Sequence, residues 1–330
     1  MTAKMRRREF IALLGGATAW PLAAGAQQAG KIARIGIFAG SANPIIATAY
    51  RAFLDELGKA GFNENQNLVV DHRPADQDLS SLSADAAEMI RSKVDVLVAT
   101  GPEAVVEAAA TASRTIPIVI VAINYDPIAR GYVQSLAQPG GNVTGVVLRQ
   151  PELAEKQVEL LTQAFPNKTR LAVLWDAISA DQFDAADRRA KALGLEVGSL
   201  KMESRPYDFD AAFRTIAASD PHMLLVLSSP FFSQYRSQIA KLAIQHRLPS
   251  MFIFRGYVEV GGLMSYGADP VAMYRHSATY VAKILKGAKP ADLPVEQPNK
   301  FDMVLNLKTA KTLGIELPTA ILLRADDVIE

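Results

Sequence analysis

The chain is predicted to be an α/β protein of two Rossmann-like, doubly wound lobes joined by a hinge. Three observations predict this. Short apolar runs of strand length alternate with amphipathic stretches of helix length, the pattern of parallel sheets covered on both faces. The series then repeats within the chain, at offsets of about 127 to 137 residues. More than one segment links the two copies, which makes the junction a hinge rather than a tether.

In order, residues 32–38 read as a buried strand ending at Ala39-Gly40-Ser41. Residues 45–60 read as a helix whose apolar face is Ile46, Tyr50, Phe53, Leu54 and Leu57, with Gly61 as its stop. A second strand at 67–71 and a helix at 79–92 follow. A third strand at 94–99 turns at Thr100-Gly101-Pro102 into a helix at 103–113. Proline suits that first turn because the N–H it lacks has no helical partner there. Residues 116–121 are a fourth strand. The second copy starts at 168–175, which matches 31–38. Residues 191–195 then match 59–62, 222–230 match 95–102, and 247–253 match 115–120. The segment 124–150, turning at Pro139-Gly140-Gly141-Asn142, connects the copies, and a second link follows residues 261–267. Residues 270–286 form an amphipathic helix, and a proline-rich tail closes the chain. On this reading the first lobe spans 31–125 plus about 268–300. The second spans about 126–267, to which 301–330 could add.

The first 26 residues are set apart. Arg6-Arg7-Arg8-Glu9-Phe10 is a basic start with a twin-arginine core, residues 10–19 are apolar and small, and Ala24-Gly25-Ala26 fits an A-x-A cleavage site. The run is too short to span a bilayer. It reads as an export signal cleaved near Ala26.

Removing it leaves 31 Lys and Arg against 33 Asp and Glu, a net charge near −2, so there is no electrostatic footprint for nucleic acid. No later run reaches the ~20 apolar residues of a membrane span. Cysteine is absent, which excludes disulfides, thiol catalysis, cysteine-ligated metals and a lipid-modified cysteine.

The search for catalytic chemistry returns little. There is no nucleophile elbow, phosphate-binding loop or dinucleotide fingerprint. His72, His222, His246 and His276 fall on separate elements, so no metal and no cofactor is expected. Asp326 and Asp327 are adjacent, point in different directions and read as a solvated tail.

The strand ends, by contrast, are suited to holding a small molecule, because ligands in open parallel sheets sit beyond the carboxyl ends of the strands. Ser41 and Asn43 follow the first strand, Thr100 and Gly101 the third, and Tyr125 the fourth. In the second copy Trp175, Ser179, Ser229 and Arg255 stand at the equivalent places. Helix N-termini after such turns present unpaired N–H groups to an anion. The same residue types also serve as plain helix caps.

The chain closely resembles the ABC-transporter substrate-binding proteins of alphaproteobacterial type, related to tryptophan- and tyrosine-binding periplasmic proteins. The resemblance rests on residues 7–16, 138–145, 261–267, 285–295 and 306–311. It implies the type I periplasmic-binding-protein fold, with lobes that close by hinge motion over a small solute, and delivery of that solute to an inner-membrane permease driven by a cytoplasmic ATPase; the export signal places the expected protein, a monomer, in the periplasm. Members of the family often carry an Asn-Pro-Asn-type loop after the first strand of the second lobe. Here that loop runs from Trp175 to Asp181, and Asp176 in it could hold a ligand amine or cap the following helix.

The expectation is a non-enzymatic binding protein for a small carboxylate-bearing, possibly aromatic, solute. Ser41, Asn43, Thr100, Gly101, Thr144, Ser179 and Ser229 would hold its polar end, Tyr125, Trp175 and Tyr266 would wall it, and Arg255 would supply a counter-charge. The alternatives are a periplasmic sensing module for a membrane receptor kinase and an exported enzyme.

Overall fold

The computed structural model describes residues 32–39, 44–74, 80–123 and 125–330. The export signal, Ser41, Asn43 and Asn124 lie outside these residues.

The first lobe is built from β1 (Ala33–Ala39), α1 (Pro44–Lys59), β2 (Leu68–Pro74), α2 (Leu82–Arg91), β3 (Val96–Gly101), α3 (Glu103–Ala112), β4 (Ile118–Ala122) and β5 (Val143–Val147). The chain then enters α4 (Gln150–Ala164), β6 (Arg170–Asp176), a 3₁₀ turn at Ala177–Ser179, α5 (Ala180–Ala192), β7 (Glu196–Met202) and α6 (Phe209–Ala217). The second lobe continues with β8 (Met223–Val226), α7 (Pro230–Gln234), α8 (Arg236–Gln245), β9 (Ser250–Phe252), α9 (Arg255–Val258) and β10 (Met264–Gly267). Last come α10 (Pro270–Leu285), β11 (Asp302–Asn306), α11 (Leu307–Leu313), α12 (Thr319–Leu322) and β12 (Asp327–Ile329).

Two sheets result. The first has the order β2-β1-β3-β4-β5 and is wholly parallel; the second is β12-β11-β10-β9-β8-β6-β7. The run β7-β6-β8-β9-β10 repeats the strand order of the first sheet, the topological form of the internal repeat seen in the sequence. Central strands are buried on both faces, as apolar runs such as Ile118–Ala122 require: every residue of β4 is covered.

One expectation about the lobes is revised by this topology. Residues 126–147 were read as the start of the second lobe, but β5 hydrogen-bonds along β4 in full register, Ile118 opposite Val143 through Ala122 opposite Val147. The strand was hidden because its sequence, VTGVV, carries a glycine, which normally weakens a strand signal. The pairing itself demands that glycine. Gly145 sits at φ +137, and a Cβ there would fall 2.2 Å from the carbonyl oxygen of Ile120. Residues 301–330 add two strands to the second sheet. β11 joins β10 antiparallel and β12 joins β11 parallel, with Met303 N–H donating to the Asp326 carboxylate.

The lobes are crossed three times. The first crossing, at 148–149, leads from β5 into α4. The second, at 268–269, leads from β10 into α10, which packs against α1 of the first lobe and sends the Tyr274 hydroxyl to Thr100 Oγ1 at 2.8 Å. The third runs back through Glu296, whose N–H donates to Gly145 O and whose carbonyl accepts from Val147 N, both at 2.9 Å. The return strand therefore lies against β5 at the hinge. Gly267 closes β10 where a Cβ would meet the Ile253 carbonyl oxygen at 2.1 Å.

Candidate functional site

A cavity of about 310 Å³ lies between the lobes, at the carboxyl ends of β4, β5 and β6. The first lobe contributes Tyr125, Ile128, Leu136 and Val147, a largely apolar wall. Leu148 and Arg149 of the first crossing form its back. The second lobe contributes Gln150 and Glu152 from the first turn of α4, Ile178 from the 3₁₀ turn, and Asp181 and Gln182 from the first turn of α5. Both lobes thus face one space.

Tyr125 is the sequence-predicted residue that lines this cavity. It is buried, packs edge-on to Tyr132 with ring centroids 6.0 Å apart, and burial pushes its hydroxyl well above the ordinary phenol range. A neutral phenol against aliphatic neighbours is an apolar wall with a donor at one end.

The other expected contacts are engaged elsewhere in the structure. Thr100 Oγ1 donates to Phe38 O at 2.7 Å and accepts from Tyr274, tying β3 to β1 and α10. Gly101 ends β3 at φ +97. Thr144 Oγ1 donates to Leu293 O at 2.7 Å, holding the third crossing to β5. The Trp175 indole stacks on Phe183 at 4.4 Å, donates to Ser199 Oγ at 2.8 Å and carries Lys201 over its face. Tyr266 stacks on Phe301 and borders a separate space of about 220 Å³. Arg255 is half-exposed and ion-paired with Glu259 and Asp327, so the tail carboxylate that was read as solvated is its partner.

Ser179 and Ser229 converge on a residue whose role the sequence left open. Asp176 is fully buried at the end of β6. Its Oδ1 accepts from Ile178 N–H at 3.1 Å, Ser179 N–H at 3.2 Å and Ser179 Oγ at 3.1 Å, while Oδ2 accepts from Ser229 Oγ at 2.6 Å and the Tyr207 hydroxyl at 3.2 Å. Asp176 N–H donates in turn to Ser179 Oγ, completing a capping box. A buried carboxylate is tolerable when hydrogen-bond donors surround it, and five do so here. Burial and the adjacent Asp176 charge push the Tyr207 phenol up to about 12. Gln182 adds a second clamp, its amide donating to Ser228 O and accepting from Ser228 N–H. These bonds fix the loops after β6, β7 and β8 as one rigid rim.

Gln150 was missed by sequence reading and has a different character. It is only 3% exposed, it lines the cavity, and its Nε2 has no hydrogen-bond partner among the described residues. The signal that marks it is local: Gln150-Pro151 opens a helix directly after a buried strand, the same strand-end logic that pointed to Tyr125. Among the described residues, no group of three or more His, Asp or Glu is placed to hold a metal ion, and no helix is long and apolar enough to cross a membrane.

Residues 34–329 match the ABC transporter substrate binding protein family. The chain belongs to that family. It is a family of solute-binding proteins rather than of enzymes. Among its relatives is a tyrosine-binding protein of Clostridioides difficile, 24% identical over 289 residues, which cover 87% of this chain and 82% of that protein. A conserved domain protein from Vibrio cholerae superposes with a TM-score of 0.82 at 28% identity, over 90% of this chain and 100% of that one. A Streptococcus pneumoniae protein crystallised in complex with L-Trp superposes with a TM-score of 0.80 at 27% identity, over 90% and 99%. The two parallel-sheet lobes are thus those of the type I periplasmic binding proteins, and the chain is an ABC transporter substrate-binding protein.

Proposed function

We propose that this protein captures a free amino acid with an aromatic or apolar side chain in the cavity between its lobes. On this reading it works in the periplasm, after loss of residues 1–26, and hands the solute to an inner-membrane permease driven by a cytoplasmic ATPase. The observation that carries the reading is the composition of the cavity: an apolar wall from the first lobe faces a polar wall built of helix N-termini from the second. A volume of about 310 Å³ lies at the small end of the roughly 300–1,000 Å³ of ligand sites, the size of one amino acid and not of an oligosaccharide. Relatives that bind tyrosine and L-Trp support the same solute class.

A solute touching both walls stabilises the closed arrangement alone, and that differential contact is what drives closure. Tyr125 and Ile128 would cover the side chain. A thermal-shift screen against aromatic amino acids, aromatic carboxylates, branched amino acids and sugars tests the reading. Amino acids should raise the melting temperature by mass action, and mass spectrometry should recover them unchanged. A shift confined to sugars, or chemical conversion of the amino acid, would refute it.

A further inference from the structure

The structure assigns the two charged ends of the amino acid to two helix starts in the second lobe: the carboxylate to Gln150 and the first turn of α4, the ammonium to Asp181 on α5. This assignment rests on the reading of the cavity as an amino-acid site.

A buried amide nitrogen without a partner costs about 1–3 kcal/mol, so such groups are few in a folded protein and call for an explanation. Gln150 Nε2 is one, at a cavity wall. Around it the N-terminus of the 15-residue helix α4 opens with no side-chain cap; Pro151 has no N–H and Leu153 N–H already donates to Arg149 O, which leaves the N–H groups of Gln150 and Glu152 without an intrahelical partner. An anion placed there meets both the amide and the positive end of the helix dipole.

The charge of the cavity says that the ligand is not an anion only. Three carboxylates (Asp126, Glu152 and Asp181) line it against one guanidinium, Arg149, which is already paired with Glu152. Asp126 accepts from Ile128 and Ala129 N–H groups and holds its own turn. Among the described residues Asp181, exposed at the start of α5, has no ion-pair or hydrogen-bond partner and is the carboxylate left for a cation. A bare carboxylate would be repelled by this set, and a bare amine would leave Gln150 unmet. A zwitterion satisfies both. Since α4 and α5 pack on one another within the second lobe, the head group docks there first and the first lobe closes over the side chain.

Isothermal titration with L-tryptophan and L-tyrosine, their decarboxylated amines tryptamine and tyramine, and indole-3-propionate tests the assignment. The parent protein should prefer the zwitterions. Gln150→Leu should weaken the amino acids about ten- to a hundredfold while changing amine binding less than threefold. Asp181→Asn should do the converse, weakening the amino acids but not indole-3-propionate. Gln150→Leu removes an unsatisfied buried donor, so its melting temperature should be unchanged or higher, which separates loss of affinity from loss of fold. Equal weakening of acid and amine by Gln150→Leu, or no weakening of either, overturns the assignment while leaving the amino-acid reading intact. Failure of the parent protein to bind either amino acid overturns both.

Discussion

Ser229 Oγ donates to Asp176 Oδ2 at 2.6 Å, a bond between the ends of two neighbouring strands of the second lobe, 53 residues apart in the chain. It is the shortest link in a closed network in which Ser179, Ser229 and Tyr207 all serve one buried carboxylate. The polar rim of the second lobe is therefore held by its own residues.

Replacing Asp176 by Ala strands buried donors on three loops, and a loss of about 3 kcal/mol or more is expected from urea denaturation. Ser229→Ala removes one of those donors and should cost about 1–2 kcal/mol. Solute affinity of the folded Ser229→Ala protein should stay within about threefold, because the hydroxyl faces Asp176. A selective loss of affinity at unchanged stability would instead place Ser229 on the solute.

Trp175 lies on Phe183, outside the cavity wall, and the other tryptophan, Trp20, lies in the stretch read from the sequence as an export signal. Trp175→Phe keeps the stack on Phe183 and should leave the dissociation constant of the solute within about twofold by titration calorimetry. Tenfold weakening would return the indole to the binding surface.

Much of this was legible in the sequence, for a physical reason. β3 and β4 are covered on both faces, as is β1 apart from Arg34, so they read as largely apolar runs, and the helices between them carry one apolar face each. The repeat of the strand order showed as a repeat of residues. The site was less legible. Serine, aspartate and threonine at strand ends cap helices and bind solutes with the same atoms, and only distances tell the two apart: Asp176 proved to be a cap. Gln150 was passed over because β5, the strand that delivers it, is broken in appearance by Gly145.

That glycine yields a sharper expectation. Gly145→Ala would drive a Cβ into the Ile120 backbone at a positive φ, where no side chain can give way. The β4–β5 pairing and the third crossing that rests on it should both suffer, with a loss of about 3 kcal/mol or a failure to accumulate folded protein. A melting temperature within a few degrees of the parent would show that β5 can separate from β4 at little cost.

Alkaline pH offers an independent check on three half-buried phenols. Burial pushes Tyr50, Tyr132 and Tyr207 from 10.0 up to about 12, with the neighbouring Glu64, Glu103 and Asp176 charges acting in the same direction. A raised folded-state value means that the contribution is fully present below pH 10, where the unfolded chain also keeps its protons, and is lost as pH rises toward 12. Urea midpoints should hold from pH 8 to 10 and fall steeply above, with phenolate absorbance lagging that of the unfolded chain. Ionisation of all tyrosines near pH 10 without loss of stability would contradict this packing.

Titration calorimetry of L-tyrosine and L-tryptophan, with mass spectrometry of the recovered solute, tests most directly whether one amino acid is held unchanged between the lobes. The account predicts saturable binding of at least one of them with one solute per chain, recovered intact. No heat from either, or a chemically altered solute, would contradict it.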